Sequence, residues 1–156
     1  MISPLVVSNE LIKKAQNENI VDLTPMKLQK LLYFTAGHYA AKTSESLFPE
    51  SFMVWQYGPV LASVYYEFSS FGSQAITLYA ANAQGQVETL NPNYAGNIPI
   101  YTAINEVWEK YKGHTGPQLS NLTHKANAPW ANARAKNTSL ICDNDLISYF
   151  RENLDA

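Results

Sequence analysis

A single cysteine, Cys142, excludes an internal disulfide and any zinc site built from several thiolates. Arginine is almost as scarce: two of the 11 basic residues, set against 13 acidic ones for a net charge of −2. Phosphate backbones are held by clustered cations, so this balance argues against a dedicated DNA or RNA binder. No run approaches the roughly 18 apolar residues that suggest a membrane span. The start Met1-Ile2-Ser3-Pro4 also lacks a basic stretch followed by an apolar one. The expectation is a cytoplasmic protein without a membrane anchor. Neither GxGxxG nor GxxxxGK[ST] occurs, so no nucleotide or other cofactor is expected. Charge is low overall, at 15 %, while hydrophobic residues reach 46 %. Disordered chains show the opposite balance. The 156 residues suffice for one self-supporting core.

What the chain does contain is a series of helix starts, the first two written as a hydroxyl followed by proline. Ser3-Pro4 precedes Val7, Leu11 and Ala15 at a spacing of four, which predicts a first helix. Thr24-Pro25 opens the strongest one, about 25–42, with Leu28, Leu31, Leu32, Thr35 and Tyr39 on one face. Lys27, Lys30 and Lys42 are expected to point away from that face. Phe52 to Tyr57 is aromatic and β-branched and predicts a strand. Gly58-Pro59 would end it, with Pro59 opening a helix to Gly72. Ala75 to Tyr79 and Val87 to Leu90 read as further short strands around a Gln84-Gly85 turn.

Thr102 reads as the cap of a helix over 103–112. Pro117 and Pro129 each open a short one, and Asp143 caps the last, with Leu146, Ile147, Phe150 and Leu154 as its stripe. The fold class is therefore α+β and mostly α-helical. It is a single domain over 1–156 with a small two- or three-stranded antiparallel sheet inserted between helices.

Catalytic constellations are sparse. The histidines at 38, 114 and 124 show no metal-ligand spacing, so no metal site is expected. Ser120 and His124 stand at i and i+4 and could hydrogen-bond on a helix, but no glycine-flanked nucleophile elbow surrounds Ser120. Leu140-Ile141-Cys142 reads as a buried apolar run, which would leave the thiol inert. Glu106 and Glu109 lie beside Lys110 and Lys112 on what reads as a mixed, solvated face. No catalytic residue is assigned.

Aromatic residues are plentiful instead: 6 Phe, 10 Tyr and 3 Trp. Tyrosine joins an apolar body to a polar tip, which suits half-buried positions and protein interfaces alike. Tyr65, Tyr66 and Phe68 cannot all face inward on one helix, so some aromatic surface is expected outside. Such a surface on a nearly neutral chain leans toward a protein-binding module.

Three segments carry a resemblance. They are Leu23-Thr24-Pro25-Met26-Lys27-Leu28-Gln29-Lys30-Leu31-Leu32-Tyr33, then Val54-Trp55-Gln56-Tyr57-Gly58-Pro59-Val60, then Leu119-Ser120-Asn121-Leu122-Thr123-His124 with Pro129-Trp130 close behind. In this order and spacing they resemble the Panacea domain, the SocA-like family of phage-associated antitoxins. The resemblance implies a non-enzymatic protein that neutralises a toxin encoded by an adjacent gene, through direct protein contact. The alternatives are an adaptor that delivers a bound partner to a protease or other machine, and a phage-associated protein of other binding function.

Within the motifs, Leu28, Leu31, Gly58, Pro59, Val60, Leu119, Thr123 and Pro129 read as fold-defining. Gln29, Lys30 and Tyr33 read as residues holding neighbouring segments from the edge of the helix stripe. Ser120 and His124 read as a polar clamp under Trp130. Trp55 and Tyr57, two apart on one strand, are expected to share a face. With Tyr65, Tyr66 and His124 they form the candidate partner-binding set. Neither the toxin nor the oligomeric state follows from the sequence.

Overall fold

The two N-terminal helices begin where their capping residues place them. In the computed structural model, which describes residues 1–154, Ser3 Oγ accepts the Leu5 N–H at the start of α1 (Pro4–Asn17). Thr24 Oγ1 accepts the Lys27 N–H at 3.2 Å and opens α2 (Pro25–Thr43). Around α2 are arranged the hairpin β1 (Met53–Trp55) and β2 (Gly58–Val60), then α3 (Ala62–Phe68), α4 (Ile98–Tyr111), α5 (Gly116–Thr123), α6 (Pro129–Ala135) and α7 (Asp143–Glu152). The architecture is mostly helical with one small antiparallel sheet, as the sequence implied.

Helix α2 is the axis of the molecule. It packs on α1, α3, α4, α5, α7 and β2, so it is enclosed on all sides rather than along one stripe. Lys27 and Lys30 are therefore buried, contrary to the expectation that they point away from the core. A buried polar group needs a partner, and α2 finds several. Thr35 Oγ1 donates to the Leu31 carbonyl at 2.7 Å, and Lys27 Nζ donates to Asp22 Oδ1 and to the Lys112 carbonyl. Gly37 lets the Phe150 ring of α7 lie against the helix backbone, since a Cβ there would stand 2.5 Å from the ring. Tyr33, Phe34, Phe52 and Phe150 then meet edge to face, with centroids 5.4–6.2 Å apart.

The sheet differs from its prediction. Gly58-Pro59 does not end the strand; it lies in β2, paired in the register Met53↔Val60, Val54↔Pro59, Trp55↔Gly58 across a Gln56-Tyr57 turn. Pro59 is tolerated because β2 is an edge strand. Helix α3 consequently starts at Ala62 and gives way at Ser69–Phe71 to a 3₁₀ turn. Residues 139–141 add to the other side of β1, where the Val54 N–H donates to the Ser139 carbonyl and the Ile141 N–H to that of Phe52, both at 2.9 Å.

The segments 75–79 and 87–90 are not strands. In the first the Ile76 N–H donates to the Leu23 carbonyl, and side chains of α1 hold Ala80 just beyond it and the backbone of the second. Asn9 brackets Ala80, accepting its N–H at 2.7 Å and donating to its carbonyl at 3.1 Å, and Glu10 accepts the Leu90 N–H at 2.9 Å. A loop satisfied in this way needs no ladder.

Three smaller expectations also fail. Thr102 lies inside α4 and bonds the Ile98 carbonyl instead of capping. Asp143 is the first residue of α7, with Cys142 at the cap position. Of the run 140–142 only Ile141 is buried, so Cys142 is exposed. No helix among the described residues is long and apolar enough to cross a membrane.

Candidate protein-binding surface

The three motif segments converge on one row of backbone carbonyls. Trp130 Nε1 donates to the Trp55 carbonyl at 2.8 Å, and Ser120 Oγ to that of Tyr57 at 2.6 Å. Lys30 Nζ donates to the Pro59 carbonyl at 3.1 Å, and Gln29 Nε2 to that of Leu61 at 3.0 Å. Gln29 also returns the favour, its Oε1 accepting the Leu61 N–H at 2.9 Å. Successive odd-numbered carbonyls along the hairpin and its exit are thus each held by a side chain from α2, α5 or α6. The edge of β2 is occupied, and the hairpin is fixed in place from behind.

Its front carries the aromatic residues. Trp55 is 38 % exposed, Tyr57 59 %, Tyr65 42 % and Tyr66 77 %. The Trp55 and Tyr65 rings meet edge to face at 4.8 Å, and Tyr65 meets Tyr66 at 5.6 Å. Phe68 of the same helix is buried, as the helix geometry demanded. Trp55 and Tyr57 do not share a strand face, because Tyr57 stands in the turn. Both nevertheless line one groove of about 450 Å³, with Met26 of α2, Val64 and Tyr65 of α3, and Lys30 at its inner wall.

His124 does not join this surface. It follows the end of α5 and stacks on Trp130, with centroids 3.9 Å apart and planes at 13°. Arg134 covers Trp130 at 5.1 Å. Ser120 and His124 do not bond each other: the hydroxyl is spent on the Tyr57 carbonyl, while His124 Nε2 is buried with no hydrogen-bond partner among the described residues. The Tyr33 hydroxyl is likewise buried without a partner among the described residues, and burial raises its pKa, so that it stays protonated. Pro25, Met26 and Val64 went unnoticed in the sequence as groove residues. The pair Lys27 and Lys30 at helical spacing inside an apolar run was the available signal.

Burial lowers the pKa of His38 from its ordinary 6.5, outweighing the opposing contact with Glu106, whose Oε2 lies 3.4 Å from Nδ1. Burial also lowers that of His124, with Lys30 and Arg134 adding repulsion. The folded state then resists protonation more than the unfolded one, so stability is full above pH 6.5 and declines as pH falls below it. The melting temperature is expected to fall between pH 7.5 and 5.5 in the native chain. A His38→Gln, His124→Gln variant should show a flatter profile. An equally steep decline in the variant would exclude these histidines as its cause.

A helical domain whose rigidly backed hairpin presents an aromatic face beside an apolar groove has the form of a protein-binding module. The chain belongs to the antitoxin SocA-like, Panacea domain family, whose profile matches residues 28–131. It is 30 % identical over 156 residues to Antitoxin SocA of Caulobacter vibrioides (strain NA1000 / CB15N), covering 93 % of this chain and 80 % of that protein. No solved structure matches it.

Proposed function

We propose that this protein is a non-enzymatic antitoxin that binds and neutralises a protein toxin encoded by an adjacent gene, with the aromatic end of the hairpin as the contact face. The observation that carries the reading is the continuous exposed cluster of Trp55, Tyr57, Tyr65 and Tyr66. Trp and Tyr at the centre of an interface dominate binding energy, and here their backbone is immobilised before the partner arrives. Neutralisation then proceeds by occlusion of the toxin, one copy to one. Membership of an antitoxin family supports the same reading.

The test is co-expression with the products of the flanking genes, scored for growth rescue and one-to-one co-purification. A Trp55→Ala, Tyr66→Ala double variant is expected to weaken the complex by about 2–4 kcal/mol, or roughly 30-fold to 1,000-fold. Its melting temperature should stay close to that of the parent, because both side chains are exposed. Undiminished affinity would remove the hairpin face from the interface. Rescue that disappears in a strain lacking its ATP-dependent proteases would favour the adaptor over occlusion.

A further inference from the structure

The two edges of the small sheet end differently. Along β2 the outward-facing backbone is closed: Pro59 has no N–H, Lys30 takes its carbonyl, and Gln29 takes both groups of Leu61. Residues 139–141 form the opposite edge, beyond β1. Ser139 and Ile141 spend their inward groups on β1, the carbonyl accepting the Val54 N–H and the Ile141 N–H reaching the Phe52 carbonyl. Leu140 stands between them, opposite Met53 in an antiparallel bridge. Its own N–H and carbonyl therefore point away from the sheet, and neither has a partner among the described residues. The Thr138 carbonyl and the Cys142 N–H follow the same alternation and are equally unengaged, with Cys142 extended at φ −69° and ψ 137°. An edge of this kind is a template for a further strand unless charge or proline blunts it, and Thr138-Ser139-Leu140-Ile141-Cys142 contains neither. Phe52 and Ile141 are buried, so Leu140, 52 % exposed, lies on the outer face in one row with Met53 and on the side of Trp55. Lys136 precedes this edge and Asp143 and Asp145 follow it, none of them in an ion pair among the described residues.

We propose that this edge pairs with the same edge of a second copy of the chain, antiparallel and two-fold symmetric, with Leu140 opposite Leu140. A two-fold contact requires a patch that complements itself, and this one does so in three respects. Each Leu140 N–H meets the other Leu140 carbonyl, and each Cys142 N–H meets the other Thr138 carbonyl. The two exposed leucine side chains cover one another on the outer face. Antiparallel pairing also brings Lys136 of each copy toward Asp143 and Asp145 of the other, so the charges flanking the edge are matched across the axis. An unrelated strand would satisfy the backbone groups equally well, but only a second copy supplies these charges in this order. The axis stands perpendicular to the sheet and keeps both outer faces on one side. The two hairpins then present Trp55 and Tyr65 side by side on one continuous sheet. The pairing does not depend on the antitoxin reading, under which two toxin copies would meet two such faces.

Sedimentation velocity on the full chain, from about 5 to about 500 µM, is expected to show a reversible monomer–dimer equilibrium. Leu140→Lys places like charges together on the axis and should weaken the dimer on the order of tenfold or more. Its melting temperature should match the parent's, because the side chain is exposed. Lys136→Glu should weaken the dimer as well, and adding Asp143→Lys to it should restore association, since the pair is then matched with its signs exchanged. In the native chain, exchange of the Leu140 amide hydrogen should slow as concentration rises. A monomer at every concentration overturns the proposal, and so does a dimer that Leu140→Lys leaves unchanged. Leu140 amide protection that appears only with the product of a flanking gene would give the edge to a partner strand and overturn it too. The antitoxin reading is decided separately, by rescue and co-purification.

Discussion

Gln29→Met is expected to destabilise the fold by roughly 2–5 kcal/mol, although the substitution preserves length, approximate volume and helix propensity. The cause lies across the interface with Leu61. Gln29 accepts the Leu61 N–H at 2.9 Å and donates to its carbonyl at 3.0 Å, and Leu61 is fully buried. Methionine satisfies neither group, so both backbone atoms are stranded away from water, and an unsatisfied buried donor or acceptor costs about 1–3 kcal/mol. Urea denaturation reads this directly as a lower midpoint with an unchanged slope. A loss below about 1 kcal/mol would mean that water reaches Leu61 when the amide is removed. If the hairpin face is the contact surface proposed above, the same variant weakens partner binding as well, because the exit of the hairpin is no longer pinned to α2.

Gly58→Ala is expected to cost about as much, roughly 3–5 kcal/mol, by a different route. Gly58 has φ +116°, a conformation that L side chains rarely adopt. Its missing Cβ would lie 2.7 Å from Thr123 Oγ1 and 2.8 Å from Lys30 Cε. Neither neighbour is free to retreat: Thr123 Oγ1 is bonded to the Ser120 carbonyl at 2.6 Å, and Lys30 is held under Pro59. The hairpin must therefore lift, carrying Trp55 and Tyr57 with it. On the proposed function, the unfolding temperature and the affinity for the partner should fall together, in contrast to the Trp55→Ala, Tyr66→Ala variant, where affinity falls alone. A stable Gly58→Ala protein with full affinity would show that the hairpin needs no anchorage at this point.

The helices were largely legible in the chain because their signals are local. Ser3-Pro4 and Thr24-Pro25 each place a hydroxyl within a few residues of the N–H it caps; Thr115 caps α5 in the same way, although only Pro117 was read as its start. The exposure of Tyr65 and Tyr66 was legible for the same reason, since helical spacing alone forbids all three aromatics of α3 an inward position. The sheet was not. The turn residues Gln56-Tyr57 are not the Asn-Gly or Asp-Gly pairs that mark a tight hairpin, so Gly58 looked like the stop when it is the first residue of the returning strand. Ala75 to Tyr79 has the composition of a strand, but the groups that satisfy the neighbouring backbone belong to Asn9, 71 residues away from Ala80. Nothing near 75–79 announces Asn9.

What the amino-acid order determined by itself was therefore the set of helices, the mostly helical class, the exclusion of an internal disulfide and the aromatic richness of the surface. Each of these depends on composition or on neighbours within one turn. Only the tertiary structure decided that Lys27 meets Asp22 while Lys30 meets no carboxylate among the described residues, that Ser120 serves the Tyr57 carbonyl instead of His124, and that Trp55 from the end of β1 and Tyr57 from the turn line one groove. These are pairings between groups distant along the chain. Their choice follows from which polar atoms are desolvated together once α2 is enclosed, and no periodicity in the sequence records that.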